Sequence, residues 1–538
     1  MAPRTPHTDV LVVGGGPVGL SLGLELSRHG VDHLLLEAGD GQIQHPRVGT
    51  VGPRTMELYR RWGVADTIRQ AGWPDDHPLD IAWVTALGGH EIFRIPVGTA
   101  AGRVAPPYTP EPEQVCPQHW LQPLLTARLR GAAGSVRLGH RLDGFVQHDD
   151  RVEATVSDVD TGTTRTVTAR FLVACDGAAS PVRKACGIGV PSRHPTQIFR
   201  NVLFRAPELR KQLGDAAALV YFLTSPRLLR YPLRSMDGRD LYRLTARGAD
   251  DDATPTDPYA LINEALAVST PVEVLSDENW HLTHRVATAY RQGRVFLCGD
   301  AAHTLSPSGG FGMNTGVADA ADLGWKLAAE LAGWAGGRLL DSYAAERMPV
   351  AEASLEQSHR NLTRTTGRSL PPEIVADTAE GARARAALAE RMAAEGVGRE
   401  FDAPDLHFGY RYRSELIVAD PDPGEPGEDW STSALPGGRA PHAWIAPGIS
   451  TLDLIGTGFT LLHLPHGGTA DEDAAVGAAR RAFAGAGVPL TVHELRDDHI
   501  RRLYRRAFVL IRPDGHVSWR GDRLPADPRA LADAVRGA

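Results

Sequence analysis

Gly14-Gly15-Gly16-Pro17-Val18-Gly19 follows the apolar run Asp9 to Val13 and opens a segment with Val18, Leu22 and Leu26 at helical spacing as far as Gly30. The run reads as a buried parallel strand. His33 to Leu36 is a second such run, closed by Glu37. Strand, tight turn, helix and strand make the βαβ unit of a dinucleotide fold. In that setting Gly14 permits the turn, Gly16 lets backbone approach a pyrophosphate, and Gly19 lets helix and strand pack. The helix beginning at Pro17 turns its dipole and free N–H groups toward phosphate. Glu37 is positioned to accept hydrogen bonds from an adenosine ribose.

Two further stretches complete a cofactor constellation. Phe171-Leu172-Val173-Ala174 looks like a return to the first sheet and ends in Cys175-Asp176-Gly177, with Ser180 and Arg183 just beyond. Val295 to Leu297 is another buried strand, followed by Gly299-Asp300 and by Pro307-Ser308-Gly309-Gly310-Phe311-Gly312-Met313-Asn314. A carboxylate at Asp300 can hold a ribityl or ribose hydroxyl. The glycine-rich helix start, with Pro307, Gly310, Gly312, Met313 and Asn314, can lie against an isoalloxazine, its dipole stabilising negative charge on the reduced ring. The three stretches in this order point to one FAD. No second GxGxxG exists for a nicotinamide dinucleotide.

Composition narrows the class. A chain of 538 residues predicts two or three domains. Lys+Arg 57 against Asp+Glu 65, spread along the chain, gives −8 and no basic stripe to meet nucleic acid. The four cysteines Cys116, Cys175, Cys186 and Cys298 show no CxxC and no metal-ligand spacing, which fits a reducing cytoplasm. No signal peptide and no run of ~20 apolar residues is visible, so a cytoplasmic protein with no membrane span is expected.

Along the chain, Arg54 to Trp62 reads as a helix stopped by Gly63, and Val152 to Val173 as paired strands. Asn201 to Leu244 carries strand-like runs, including Leu229 to Leu233, and predicts a separate, largely antiparallel sheet. Thr363 to Ala394 reads as helical and solvated, and Pro421 to Gly438 as a linker. Beyond it, Phe459 to Leu464, an Ala-rich helix near Ala474 to Ala484, Phe508 to Ile511 and His516 to Trp519 look like a thioredoxin-type α/β unit with Arg512-Pro513-Asp514-Gly515 as its hairpin turn. No cysteine follows Cys298, so this unit is read as a packing or assembly module without dithiol chemistry.

With GxGxxG, DG and GD motifs in this order, the chain resembles the class A flavoprotein aromatic hydroxylases over its whole length. The resemblance implies an α/β fold: a discontinuous Rossmann-like FAD domain (1–75, 101–190 and 285–400), a middle antiparallel β-sheet substrate domain (76–100 and 191–284), and a C-terminal thioredoxin-like domain (401–538) without CxxC. It also implies NADH or NADPH as a transient reductant and a flavin C4a-hydroperoxide as oxidant. His45-Pro46-Arg47-Val48-Gly49-Thr50, Gly72-Trp73-Pro74, Cys116-Pro117-Gln118-His119-Trp120, Trp280 to Arg285 and Arg439 to Trp444 are similar to the flavoenzymes of indolocarbazole biosynthesis, of the rebeccamycin and staurosporine type. That likeness implies a functional partner cytochrome P450, a chromopyrrolic-acid-derived aromatic dicarboxylate as substrate, and Gln118 among the cofactor contacts.

Arg47 can lie over the flavin, as a catalytic and cofactor-binding residue, or meet an anionic substrate; a surface salt bridge is the plainer alternative. Arg230 and Arg234 share one face of a strand-like run and Arg243 sits on a neighbouring one, together a bidentate carboxylate site or else a solvated polar face. The resemblance favours Arg234 and Arg243. Val220 stands where rebeccamycin-type enzymes look to carry phenylalanine, which reshapes the pocket. His281 and His284 lack a third ligand, so no metal is expected. Aromatic polyketide or phenol hydroxylation on the same scaffold is the alternative activity, and a flavin-fold protein that captures and steers a reactive P450 product is the other.

Overall fold

The computed structural model describes residues 7–47, 49–132, 135–226, 232–247, 257–366, 370–420, 429–465 and 470–538. Its first sheet is built on the strand His7–Val13, whose Val10, Leu11 and Val12 are fully buried. This strand pairs in parallel with His33–Leu36 on one side and Thr164–Ala174 on the other, and Thr164–Ala174 pairs in parallel with Val295–Leu297. The register sets Leu36, Val13, Ala174 and Leu297 in one row. All three sequence motifs and Glu37 therefore leave the sheet at the same carboxyl edge, where open α/β sheets bind ligands.

The helix Pro17–Arg28 and the long helix Phe311–Leu331 cover this sheet, with Leu20, Leu22 and Leu26 packed in one core with Val317, Leu323 and Leu327. The predicted helix after residue 53 runs Pro53–Arg61, and Gly63 beyond it has a left-handed φ of +68°.

A second sheet of eight strands runs in the order His303–Thr304, Glu273–Val286, Ser192–Arg205, Leu241–Arg247, Pro232–Ser235, Val220–Leu223, Ile81–Val84, Glu91–Ile95. Only Val220–Leu223 and Ile81–Val84 pair in parallel. One face is apolar: Ala82, Tyr221, Leu233, Leu244 and Val202 pack against Leu261 and Ile262 of the helix Pro258–Leu266. Directly opposed residues of the other face form a row, Ile81, Val220, Arg234, Arg243, Leu203 and Ser276. Alternation along each strand fixes these two faces.

A third sheet, Leu490–Glu494, Phe459–His463, Phe508–Ile511 and Val517–Gly521, is flanked by helices Ala470–Gly485 and Pro528–Val535, the α/β unit expected at the C-terminus. It shares a core with the long helix: Trp325 and Trp334 pack on Phe459 and Phe483.

The structure refines four local readings. The chain is strand at Pro232–Ser235, while the earlier part of the run Leu229 to Leu233 lies outside the described residues. Ser433 to Ala440 are buried against the third sheet, so the described end of the supposed linker is packed structure. The solvated helix divides into Ser342–Thr366 and Ala379–Ala394, and Leu388 and Met392 of the latter are buried over Ile81, Trp83 and Phe222 of the second sheet. The hairpin turn at Arg512 is buried, because Arg512 meets Asp322 and Glu346 of the long helices and pairs with Asp514. Among the described residues no helix is long and apolar enough to cross a membrane.

Candidate active site

Gly14 turns at φ +110°, and any Cβ there would fall on the Cys175 carbonyl, so glycine alone lets the first and second motifs touch. The helices starting at Pro17 and at Phe311 both begin at this edge without a side-chain cap or an acidic first turn, which leaves their first N–H groups to a ligand. Gly310 caps the second helix at φ +68°. Space is open over Gly16, Gly177, Gly310 and Gly312, where an added Cβ would meet nothing within 4 Å. Asp176 accepts the Val182 N–H at 3.1 Å through one oxygen, and its other oxygen is buried without a partner. An open cradle, uncapped helix starts and an orphaned carboxylate oxygen fit the phosphates, hydroxyls and ring of FAD.

Glu37 accepts the Gly15 N–H and the Gly39 N–H, each at 2.7 Å, and keeps lone pairs for a ribose. Asp300 is open to the crevice yet ringed by protein. That enclosure pushes its pKa up, against the opposing pull of His303 and Arg47. Arg47 is thus near enough to act on Asp300, and its side chain is exposed in the crevice. Pro307 is exposed and Met313 half-buried at the same edge. Asn314 has its side chain committed: Oδ1 accepts from Gly52 N–H at 2.9 Å and from the Thr55 hydroxyl at 2.6 Å, and Nδ2 donates to the Gly310 carbonyl at 2.7 Å. Its backbone and one Nδ2 hydrogen remain for a cofactor.

The loop carrying Arg47 is clamped from several sides. The Arg47 N–H donates to Gln118 Oε1 at 3.0 Å. Arg243 Nη1 donates to the Pro46 carbonyl at 2.6 Å, and Arg234 Nη2 to the Thr50 hydroxyl at 2.7 Å. A Cβ on Gly49 would lie 2.6 Å from Arg234 Nη2. His45 Nδ1 meets the Ser276 hydroxyl at 2.8 Å and its Nε2 meets Glu278 at 2.8 Å, a pairing the sequence did not signal. Arg234 and Arg243, cross-strand neighbours, each keep a buried Nε without a partner. Burial lowers both pKa values to about 10, with Glu113 opposing the shift at Arg234 and Arg234 itself adding to it at Arg243. Two enclosed guanidiniums side by side present the donor chemistry that carboxylates take. Val220 is directly opposite Arg234 and buried; Arg230 lies outside the described residues.

Among the described residues no group of three or more His, Cys, Asp or Glu side chains is arranged to hold a metal ion. His284 instead packs edge-on to His194 and His359. A cavity of about 840 Å³ lined by Asp76, Arg210, Lys211, Asp215 and Arg239 contains none of the residues named from the sequence.

The FAD binding domain family matches residues 7–358, and the C-terminal family of aromatic-ring hydroxylases matches 433–538. A putative polyketide hydroxylase of Streptomyces coelicolor is 33% identical, covering 99% of this chain and 96% of its own. Aklavinone 12-hydroxylase DnrF of Streptomyces peucetius is 35% identical, covering 87% and 94%. Among solved structures, chromopyrrolic acid-soaked RebC with bound 7-carboxy-K252c is 57% identical with a TM-score of 0.94, covering 99% of this chain and 100% of RebC. RebC with reduced flavin, described as a rebeccamycin biosynthetic enzyme, matches at the same identity and TM-score. Sheet order, cofactor edge and these likenesses agree: the chain belongs to the FAD-binding aromatic-ring hydroxylases and is an FAD-dependent aromatic monooxygenase.

Proposed function

We propose that this enzyme oxidises a planar aromatic carboxylate of indolocarbazole biosynthesis, derived from chromopyrrolic acid by a partner cytochrome P450, with NADH or NADPH as transient reductant. The observation that carries this reading is the Arg234–Arg243 pair, two enclosed cations with no carboxylate partner among the described residues, beside the Arg47 loop. The 57% likeness to a protein solved with 7-carboxy-K252c supports the substrate class.

FAD, when bound, supplies the oxygenating chemistry. The remaining tasks fall to the chain. Arg234 and Arg243 hold substrate carboxylate through charge-assisted hydrogen bonds and orient the rings toward the crevice. Glu37, Asp176 and Asp300 take hydroxyl groups of the cofactor; the helix starts at Gly16 and Gly310 take its phosphates and reduced ring. Arg47, with its backbone held by Gln118, would contact the flavin. Trp83 stacked on Phe222 at 5.0 Å, with Phe401 across both, lays an apolar cluster on the sheet face that carries Val220 and Arg234. Val220 sets the width beside Arg234.

The test measures NAD(P)H oxidation with the aromatic dicarboxylate, with its decarboxylated analogue and with a neutral polyketide. Stimulation by the carboxylate alone, lost in Arg243→Met, supports the reading. Stimulation by the neutral polyketide would transfer the assignment to polyketide hydroxylation. An altered product ratio without NAD(P)H consumption would point to capture of a P450 product.

A further inference from the structure

Behind the cofactor edge lies a buried ionic group that the proposed reaction does not use. Asp319, His303 and Arg347 are all fully buried. Asp319 Oδ2 lies 2.7 Å from His303 Nε2 and accepts the Gly299 N–H at 3.3 Å. Its Oδ1 accepts from Arg347 Nε at 2.7 Å. The carboxylate therefore grips both ends of the loop Gly299–His303, with Asp300 between them on the crevice side. Burial raises the Asp319 pKa, but Arg347 and His303 more than offset this and hold the carboxyl below its ordinary value.

Arg347 in turn donates to the Thr315 carbonyl at 3.1 Å and to the Tyr412 hydroxyl at 3.2 Å. The Tyr412 ring packs 4.3 Å from His516 and lies under the Arg512 guanidinium at 5.0 Å. Arg512, on the C-terminal hairpin, reaches back to Asp322 and Glu346 at 2.8 and 2.6 Å. A continuous chain of charge and ring contacts thus runs from the third sheet to the back of the cofactor loop.

We propose that Asp319 is a positioning residue that sets Asp300 for the flavin half of FAD, and that the C-terminal unit braces it through Tyr412 and Arg347. This rests on the reading of Asp300 as a cofactor contact. It gives the C-terminal unit a task, retention of FAD, that requires no cysteine. Asp319 touches no cofactor atom itself, so its effect must appear in the flavin half of the ligand and be absent from the adenosine half.

The experiment titrates apoprotein with FAD and with ADP for the natural chain, Asp319→Asn, Tyr412→Phe and Asp300→Ala. ADP probes the Gly14–Gly19 turn and Glu37 alone. Asp319→Asn is expected to weaken FAD binding by at least about tenfold while ADP affinity changes by less than about twofold. Tyr412→Phe, which removes one hydroxyl from a ring that stays packed, is expected to speed FAD release by roughly two- to fivefold. Equal losses for FAD and ADP, or unchanged FAD affinity in Asp319→Asn, would overturn the proposal. Should Asp319→Asn fail to fold, an unchanged FAD release rate in Tyr412→Phe overturns it. Unchanged FAD binding in Asp300→Ala, with Asp319→Asn still weakened, removes the Asp300 reading and leaves the loop-positioning role intact through Gly299.

Discussion

Replacing Arg234 with methionine should make the apoprotein more stable and the enzyme worse at binding its substrate. Burial lowers the Arg234 pKa from its ordinary value to about 10. Each unit is worth about 1.4 kcal/mol, so enclosing this charge costs the fold roughly 3 kcal/mol. Arginine is a base whose pKa is lower folded than unfolded. The cost is therefore present in full below about pH 10, and it fades only as pH rises beyond that value. Methionine removes it. The loss of the 2.7 Å hydrogen bond to Thr50 returns about 1 kcal/mol, and imperfect filling beside Gly49 about 1 kcal/mol more. The balance is about 1 kcal/mol in favour of Arg234→Met, with a further gain because Arg243 loses a like-charged neighbour. Substrate binding should weaken by roughly 10- to 150-fold, the value of about 1.5–3 kcal/mol for a hydrogen bond to a charged group. Thermal unfolding of the apoprotein and fluorescence titration with the aromatic carboxylate read the two effects. A melting temperature several degrees below that of the natural chain, together with unimpaired binding, would refute the reasoning.

Gly310→Ala forces a Cβ into the left-handed region at φ +68°, costing about 1–2 kcal/mol, and points it into the open crevice. Flavin titration should show affinity reduced by roughly tenfold. His284 is fully buried, and burial first, with His359 and His194 adding, lowers its pKa to about 4. The unfolded chain takes the proton below pH 6.5 and the folded ring refuses it, so stability should fall by about 1.4 kcal/mol per unit as pH drops from 6.5 toward 4. The acid limb of a melting-temperature profile should flatten in His284→Leu. Arg512→Met leaves buried Asp322 and Glu346 to share Lys326 and takes the guanidinium from Asp514, and should cost about 3–5 kcal/mol by chemical denaturation.

What was legible in the sequence was local. Gly14 to Gly19, Glu37, Asp176 and Asp300 each sit at a strand end, and parallel pairing brings strand ends to one edge without further information. The arginine site was half legible. Arg234 and Arg243 announce a cationic face, but only the register makes them neighbours and only the fold supplies the loop at His45 to Thr50. Asp319 was invisible for a different reason: its partners His303 and Arg347 lie 16 and 28 residues away on separate elements, and an aspartate inside a helix reads as solvated. Arg512-Pro513-Asp514-Gly515 was legible as a turn, but its burial was not, because Asp322 and Glu346, the tertiary partners of opposite charge, lie on distant helices. Ala379–Ala394 read as wholly solvated because only Leu388 and Met392 turn inward.

The most direct test of the account is product analysis after incubating chromopyrrolic acid with an indolocarbazole P450 system, FAD and NAD(P)H, with and without this protein. The account predicts a shift toward a single aglycone that requires FAD and disappears in Arg234→Met. A product mixture that is the same with and without the protein would contradict the indolocarbazole assignment.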